Sequence, residues 1–455
     1  MMGRTGSRSI LSVVQNVRRR ELPLALLMFS YFFLVISTFW VLKPIKKDLL
    51  VSFYRSRPFE LLGTTFSGPQ AELVAKVLNM VVAYFAVVVF ALLARRLRRQ
   101  SLSLVFCAFF AVGLAAYAGL LSVPHASVVW SFYLFGDLYS TVMVATFFVF
   151  LNDSFVPDAA RRVYGLIVLG GVAGGVFGSV TLRGIMDRLT HGHWMGVCVA
   201  ATLAVAVLAL AAGRIVDRAP PAETPTAAPP EREHSGNPAL EGARLALRSR
   251  YLLSIVAIVG LYEVVSTVMD FQFTATLDHY DKLGQIVFGK QLATAYAITN
   301  TATLVVQILL TGWVMTRFRL TVALLLLPVA ALSGSLVFLA LPLLWPGTLL
   351  NTIDNSLSYS VNQSSKEALY TVATRQEKYQ AKAFIDMFVQ RFAKALAVGV
   401  SLGITVIFTH FGAIRWLSVF TAFVIAAWIV AARYAGRRFH QAADAQPPQP
   451  GGASS

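Results

Sequence analysis

Apolar runs of about twenty residues, repeated from one end of this chain to the other, leave few folds open to it. A run of that length carries an α-helix through the roughly 30 Å of hydrocarbon in a bilayer, and these runs lack the alternation of a lipid-facing strand. They lie near 22–42, 72–94, 101–122, 127–150, 162–183 and 194–212, then near 251–274, 289–315, 320–341, 346–363, 382–408 and 413–433. About twelve spans predict an all-α polytopic membrane protein. The composition agrees: 13% of the residues are charged and 56% are apolar, whereas a soluble domain carries about 25% charge.

The net charge of +17 does not point to nucleic acid, because the basic residues are scattered through short connections rather than gathered on a soluble domain. Membrane topology explains most of it. Arg18, Arg19 and Arg20 precede the first span, and basic residues recur in alternate connections at Arg95–Arg99, Arg161–Arg162, Arg244–Arg250, Arg317–Arg319, Arg375–Lys378 and Arg437–Arg438. By the positive-inside rule those connections and both termini are expected in the cytoplasm. No cleavable signal peptide is expected, since the first run is long and ends in charge. Cys107 and Cys198 sit inside apolar runs without CxxC spacing, so neither a disulfide framework nor a metal site is expected.

The expected organisation is a cytoplasmic segment 1–21, a six-helix bundle 22–213, a Pro- and Ala-rich linker 214–250, a second six-helix bundle 251–435 and a disordered tail 436–455. Six spans, a loose linker and six more spans is the layout of major-facilitator transporters, in which two pseudo-symmetric halves rock about a midplane site.

One stretch breaks the charge bias. Phe39–Leu50 ends the first span with Lys43, Lys46 and Lys47, whose spacing places all three ammonium groups on one face wherever the helix continues. A cation at the bilayer centre costs roughly 2.5–3.5 kcal/mol on insertion scales, so the cluster either leaves the membrane or lines a wet cavity. Other intramembrane polar groups have two readings each, a structural pair between helices or a role in substrate or ion coupling. They are Asp137 in span four, Asp270 in span seven after Glu263, and Lys382, Asp386, Arg391 and Lys394 in span eleven. Span ten carries Asn351, Asn355, Ser358 and Asn362 at spacings of four, three and four, beside Asp354, a polar stripe that fits a wet pathway. Glu72 and Lys76 in span two read as cap or snorkelling residues, and Gly170, Gly174 and Gly178 in span five as a close-packing ridge. The histidines show no metal-ligand spacing, and no nucleophile and base set suggests an enzyme.

These motifs resemble the bacterial and plastid ATP:ADP antiporters. The first span of that family ends in a Leu-Arg-Asp-Thr-Lys-Asp-like motif, matched by Leu42-Lys43-Pro44-Ile45-Lys46-Lys47, with Lys46 on the family's substrate-binding lysine. Asp137-Leu138-Tyr139, Asn152-Asp153 and Asp158-Ala159-Ala160-Arg161-Arg162-Val163-Tyr164 follow the fourth-span pattern, and Asp270 takes the place of a family glutamate. The strongest match is Lys366-Glu367-Ala368-Leu369-Tyr370 with Lys382-Ala383-Phe384-Ile385-Asp386. Two departures stand out: the family's glutamates are aspartates here, and Ser358 occupies the position of a family lysine.

The resemblance implies a monomeric carrier of the bacterial inner membrane for nucleotides or similar phosphorylated anions, exchanging ATP and ADP by alternating access, with no cofactor. Lys43, Lys46 and Lys47 would neutralise phosphates, Asp137 and Asp270 would pair with cations in the empty site, and span ten would meet base and ribose. Arg391, Lys394 or Lys382 would replace the missing lysine. Two rivals remain open: a proton-coupled carrier for another solute, with Asp137 or Asp270 as the proton site, and a non-transporting membrane scaffold or receptor.

Overall fold

A computed structural model describes residues 18, 20–61, 63–155, 157–218, 244, 248–370, 382, 384–407 and 410–445. Among them, eleven helices are long and apolar enough to cross a membrane. The first six are α1 (Leu22–Ser56), α2 (Gly68–Arg96), α3 (Arg99–Leu120), α4 (Ala126–Ser154), α5 (Pro157–Ile185) and α6 (His191–Arg218). Then come α7 (Arg250–Lys282), α8 (Phe288–Val305), α9 (Leu320–Ala340), α10 (Leu344–Leu357), α11 (Gln390–Ile407) and α12 (Trp416–Ala445). α8 continues through a π-helical turn, Val306–Thr311, and α10 through another, Ser358–Asn362, into a short helix Gln363–Leu369. The α10 run stands outside the eleven because Asn351, Asp354, Asn355, Ser358 and Asn362 make it less apolar than the others. The all-α polytopic reading is borne out.

Several boundaries differ from expectation, and α7 runs on to Lys282. α1 does not stop at Leu42 but runs on through Pro44 to Ser56, about 52 Å in all, and so carries the three lysines within the helix rather than after it. The tail expected to be disordered from 436 is helical to Ala445. A small hairpin, β1 (Phe59–Leu61) with β2 (Thr64–Phe66), joins α1 to α2 where no strand was expected. Its turn uses Gly63 at φ +75, a left-handed conformation that costs glycine nothing. Most of the expected linker, 219–243, lies outside the described residues, as do Arg375 and Lys378.

The chain forms two compact units. One comprises Met1–Glu231 with Thr274–Leu304, the other Arg232–Phe273 with Val305–Ser455. In the first, α1 packs against α5 through two ridges in register, Phe29, Phe33 and Ser37 facing Gly170, Gly174 and Gly178. A Cβ on any of those glycines would come within 2.6 Å of a backbone oxygen of α1. In lipid, where burial gives little driving force, such close backbone approach and an interhelical bond from Ser37 Oγ to the Gly174 carbonyl (3.1 Å) hold the helices together. An aromatic cluster fills the other side of α1, with Phe32 stacked on Phe147 and Tyr31 edge-on to it.

At the arginine-rich end, the Arg162 guanidinium donates to the carboxylate of Glu21, just before α1. That bond holds the Glu21 carboxyl below its usual range. A carboxyl depressed in the folded state stabilises at pH values above its unfolded pKa, and the contribution disappears as pH falls through the folded pKa. Glu21→Gln is therefore expected to lower the melting temperature slightly at pH 7, and thermal scans should show the gap to the unsubstituted protein closing below about pH 4.

Candidate functional site

The residue midway along α1 is Phe39, so Lys43, Lys46 and Lys47 lie about 6–12 Å beyond the helix midpoint. Each ammonium group has a different environment. Lys43 is half-buried, its Nζ 4.5 Å from the centre of the Trp40 ring and 4.7 Å from that of Tyr296 on α8, with Phe39 at 5.8 Å. Trp40 and Tyr296 pack edge to face at 5.4 Å. A desolvated cation over an aromatic face gains about 2 kcal/mol, comparable to the cost of placing a lysine in the membrane, which is how these rings keep an ammonium in place.

Lys46, 4% exposed, donates to the carboxylate of Asp137 on α4 and stands 4.5 Å over the Tyr133 ring. Gly136 lets it reach there: a Cβ at that position would lie 2.9 Å from Lys46 Cδ. Lys47, 2% exposed, pairs with Glu72 on α2 at 3.1 Å, and Lys76 approaches the same Glu72 oxygen at 3.4 Å. Glu72 is therefore neither a cap nor a snorkelling residue. The cap of α2 is made by Ser67 and Gln70 in a capping box, which leaves Glu72 buried between two lysines. In this group Lys46 meets Asp137, and Lys47 and Lys76 meet Glu72, while Asp48 turns toward Ser52 and Gly289.

Further along α1, Arg55 donates from Nε to Asp278 at 2.7 Å and from Nη1 to Asp281, tying the end of α1 to the end of α7. Lys282 shares Asp278 at 2.8 Å. Sequence reasoning missed this tie and the aromatic seat of Lys43. The signal for the seat was the spacing of Tyr296 and Asn300 on one face of α8; the Asn300 amide nitrogen is buried without a hydrogen-bond partner among the described residues.

The second unit holds the remaining candidates. Asp270 is half-buried on α7, one turn after Ser266, whose hydroxyl donates to Asp354 of α10 at 2.6 Å. Asn355 spends its amide on the Asn351 carbonyl of its own helix at 2.9 Å, and Ser358 faces the Asn355 carbonyl at 3.4 Å. Asn362 differs: it is 1% exposed, and neither its amide oxygen nor its nitrogen has a hydrogen-bond partner among the described residues. An unsatisfied buried amide costs about 1–3 kcal/mol, and a π turn, Ser358–Asn362, is what places it there. Lys382 donates to both Glu367 oxygens at 2.7 Å, and Lys394 pairs with Glu263 at 3.0 Å. Arg391 is half-buried at the start of α11. The side chain of Asp386 lies outside the described residues.

The TLC ATP/ADP transporter family matches residues 342–439, which include α10 and α11. ADP,ATP carrier protein 1 of Chlamydia pneumoniae is 24% identical over 221 residues, 42% of this chain and 41% of the relative. ADP,ATP carrier protein 2 of the same organism is 24% identical over 238 residues, 45% and 43% respectively. The match thus spans less than half the length of these curated relatives. Among solved structures, the nucleoside transporter NupG superposes with a TM-score of 0.60 at 14% identity, covering 93% of this chain and all of that one (100%). A bacterial homologue of the human lysosomal transporter Spinster gives 0.59 at 13%, covering 93% and 98%. At such identities these likenesses establish the fold, that of polytopic helical transporters. The resemblance to ATP:ADP transporters read from the motifs is borne out, and the relatives are carriers rather than enzymes.

Proposed function

We propose that this protein is a carrier that exchanges ATP and ADP across a bacterial inner membrane by alternating access, with both termini in the cytoplasm. The observation that carries the reading is the set of three lysines on one helix, buried or half-buried, with Lys46 where the motif resemblance puts a substrate-binding lysine. Point charges on flexible stems suit a multiply charged ligand that must bind and leave. In the empty carrier Asp137 stands in for phosphate at Lys46. An incoming phosphate oxygen competes for that ammonium, so binding exchanges one ion pair for another and avoids stripping a bare charge. Lys43, held on aromatic faces, meets a second phosphate; Lys47, between Glu72 and the helix, sets the local potential. Within the second unit, taken by itself, the buried amide of Asn362 carries donor and acceptor capacity that no described residue uses.

The test is exchange in liposomes. Purified protein reconstituted with internal ADP is expected to take up labelled ATP saturably, and uptake is expected to need the internal nucleotide and to ignore an imposed pH gradient. Uptake that follows the pH gradient without internal nucleotide would instead establish the proton-coupled carrier.

A further inference from the structure

We propose that the outer face of the first unit carries a binding site for an anionic phospholipid, seated between α2, α3 and α4 with its headgroup on Arg95, Arg96 and Arg98. Two independent observations meet there. The first is shape. All buried residues of α2 fall in Gly68–Ala75, and the apolar window that would cross the membrane is 0% buried, so the helix stands off its neighbours. The gap is a groove of about 370 Å3, lined by Phe85, Val89 and Leu93 of α2, Phe106 and Phe109 of α3, and Leu138 of α4, without a polar side chain. The α2 residues of its wall run from Val82 to Leu93, about 16 Å along the helix, which is the length of an acyl chain and not of a compact solute.

The second observation is charge. Within one turn of Leu93 the helix ends in Arg95 and Arg96, and Arg98 caps α3 at the same end. All three are exposed, and none makes an ion pair or side-chain hydrogen bond among the described residues, whereas the neighbouring Arg99 reaches Asp217 and the Asp153 carbonyl. The positive-inside bias accounts for basic residues at this end but not for their standing over an apolar groove. A basic cluster beside a helix-lined groove selects a lipid with a negative headgroup, the arginines taking its phosphate oxygens while the chain fills the space below. A second copy of the protein would bring the same three arginines to the contact and repel itself.

Native mass spectrometry of the full-length protein, exposed to equal amounts of phosphatidylglycerol and phosphatidylcholine with the same acyl chains, tests this. Phosphatidylglycerol is expected to be retained in preference. Replacing Arg95, Arg96 and Arg98 with glutamine should weaken its retention by about 100-fold, three charges at roughly fivefold each. The same three positions changed to lysine should retain it. Ala86→Phe, which puts a ring into the groove, should lower retention with the arginines intact. Equal retention of the two lipids, or retention unchanged in the glutamine variant, overturns the proposal, as does a dimer that Ala86→Phe abolishes without any lipid preference, which would assign the groove to a second copy.

Discussion

Lys46→Ala is expected to lower ATP uptake into liposomes by about 10- to 100-fold, the loss of one hydrogen bond to a charged group worth about 1.5–3 kcal/mol. The stability consequences should be unequal across the pair. Removing Lys46 leaves the Asp137 carboxylate 24% exposed and able to recruit water, so the fold should tolerate the change. Removing the carboxylate with Asp137→Ala strands an ammonium that is 4% exposed with the Tyr133 ring beside it, and breaking a buried pair in that way costs about 3–5 kcal/mol. The double variant, Lys46→Ala with Asp137→Ala, should recover most of the stability and none of the uptake. Thermal melts of the three variants beside their uptake rates read both halves; equal losses of stability from the two single changes would contradict the assignment of the burden to Lys46.

Gly174→Leu is expected to prevent folding. A Cβ there would lie 2.3 Å from the Phe33 carbonyl oxygen, with only backbone atoms to yield, and Gly170 and Gly178 sit in the same register, so relief at one position separates α1 from α5 along the whole ridge. Gly174→Ala gives the graded version. Alanine gains about 1 kcal/mol in helix propensity, yet overpacking costs about 1–3 kcal/mol, and here no soft side chain can move aside. Gly196 on α6 is the control, since a Cβ there meets nothing within 4 Å. Gly196→Ala should leave the melting temperature nearly unchanged, as size-exclusion thermostability scans would read it; a Gly174→Ala variant as stable as Gly196→Ala would show that the ridge contact is loose.

The spans were legible because hydrocarbon thickness imposes a run length that the letters must meet, and most helix ends fall within a few residues of their expected place. α1 misled because Pro44 and three lysines look like an ending; it continues because Asp137, Glu72, Trp40 and Tyr296, all distant in sequence except Trp40, compensate the charges. The lysines themselves were legible, their partners were not. Glu72 shows helical spacing with Lys76, and nothing local reveals that Lys47 of another helix reaches it. Likewise Lys382 stands at i to Asp386 at i+4, and nothing local reveals the carboxylate that it meets among the described residues, Glu367. The polar stripe of α10 was read at a period of 3.6, which a π turn interrupts between Ser358 and Asn362; a hydrogen-bond shift of that kind leaves no mark on composition.

The claim on which the account rests is that the α1 lysines seat the nucleotide phosphates, and the dissociation constants of ATP, ADP, AMP and adenosine for the purified protein and for Lys46→Gln and Lys43→Gln test it most directly. Affinity in the unsubstituted protein should climb with each added phosphate, and each lysine variant should flatten that climb while binding adenosine as before. A ladder of equal steepness in all three proteins would contradict it.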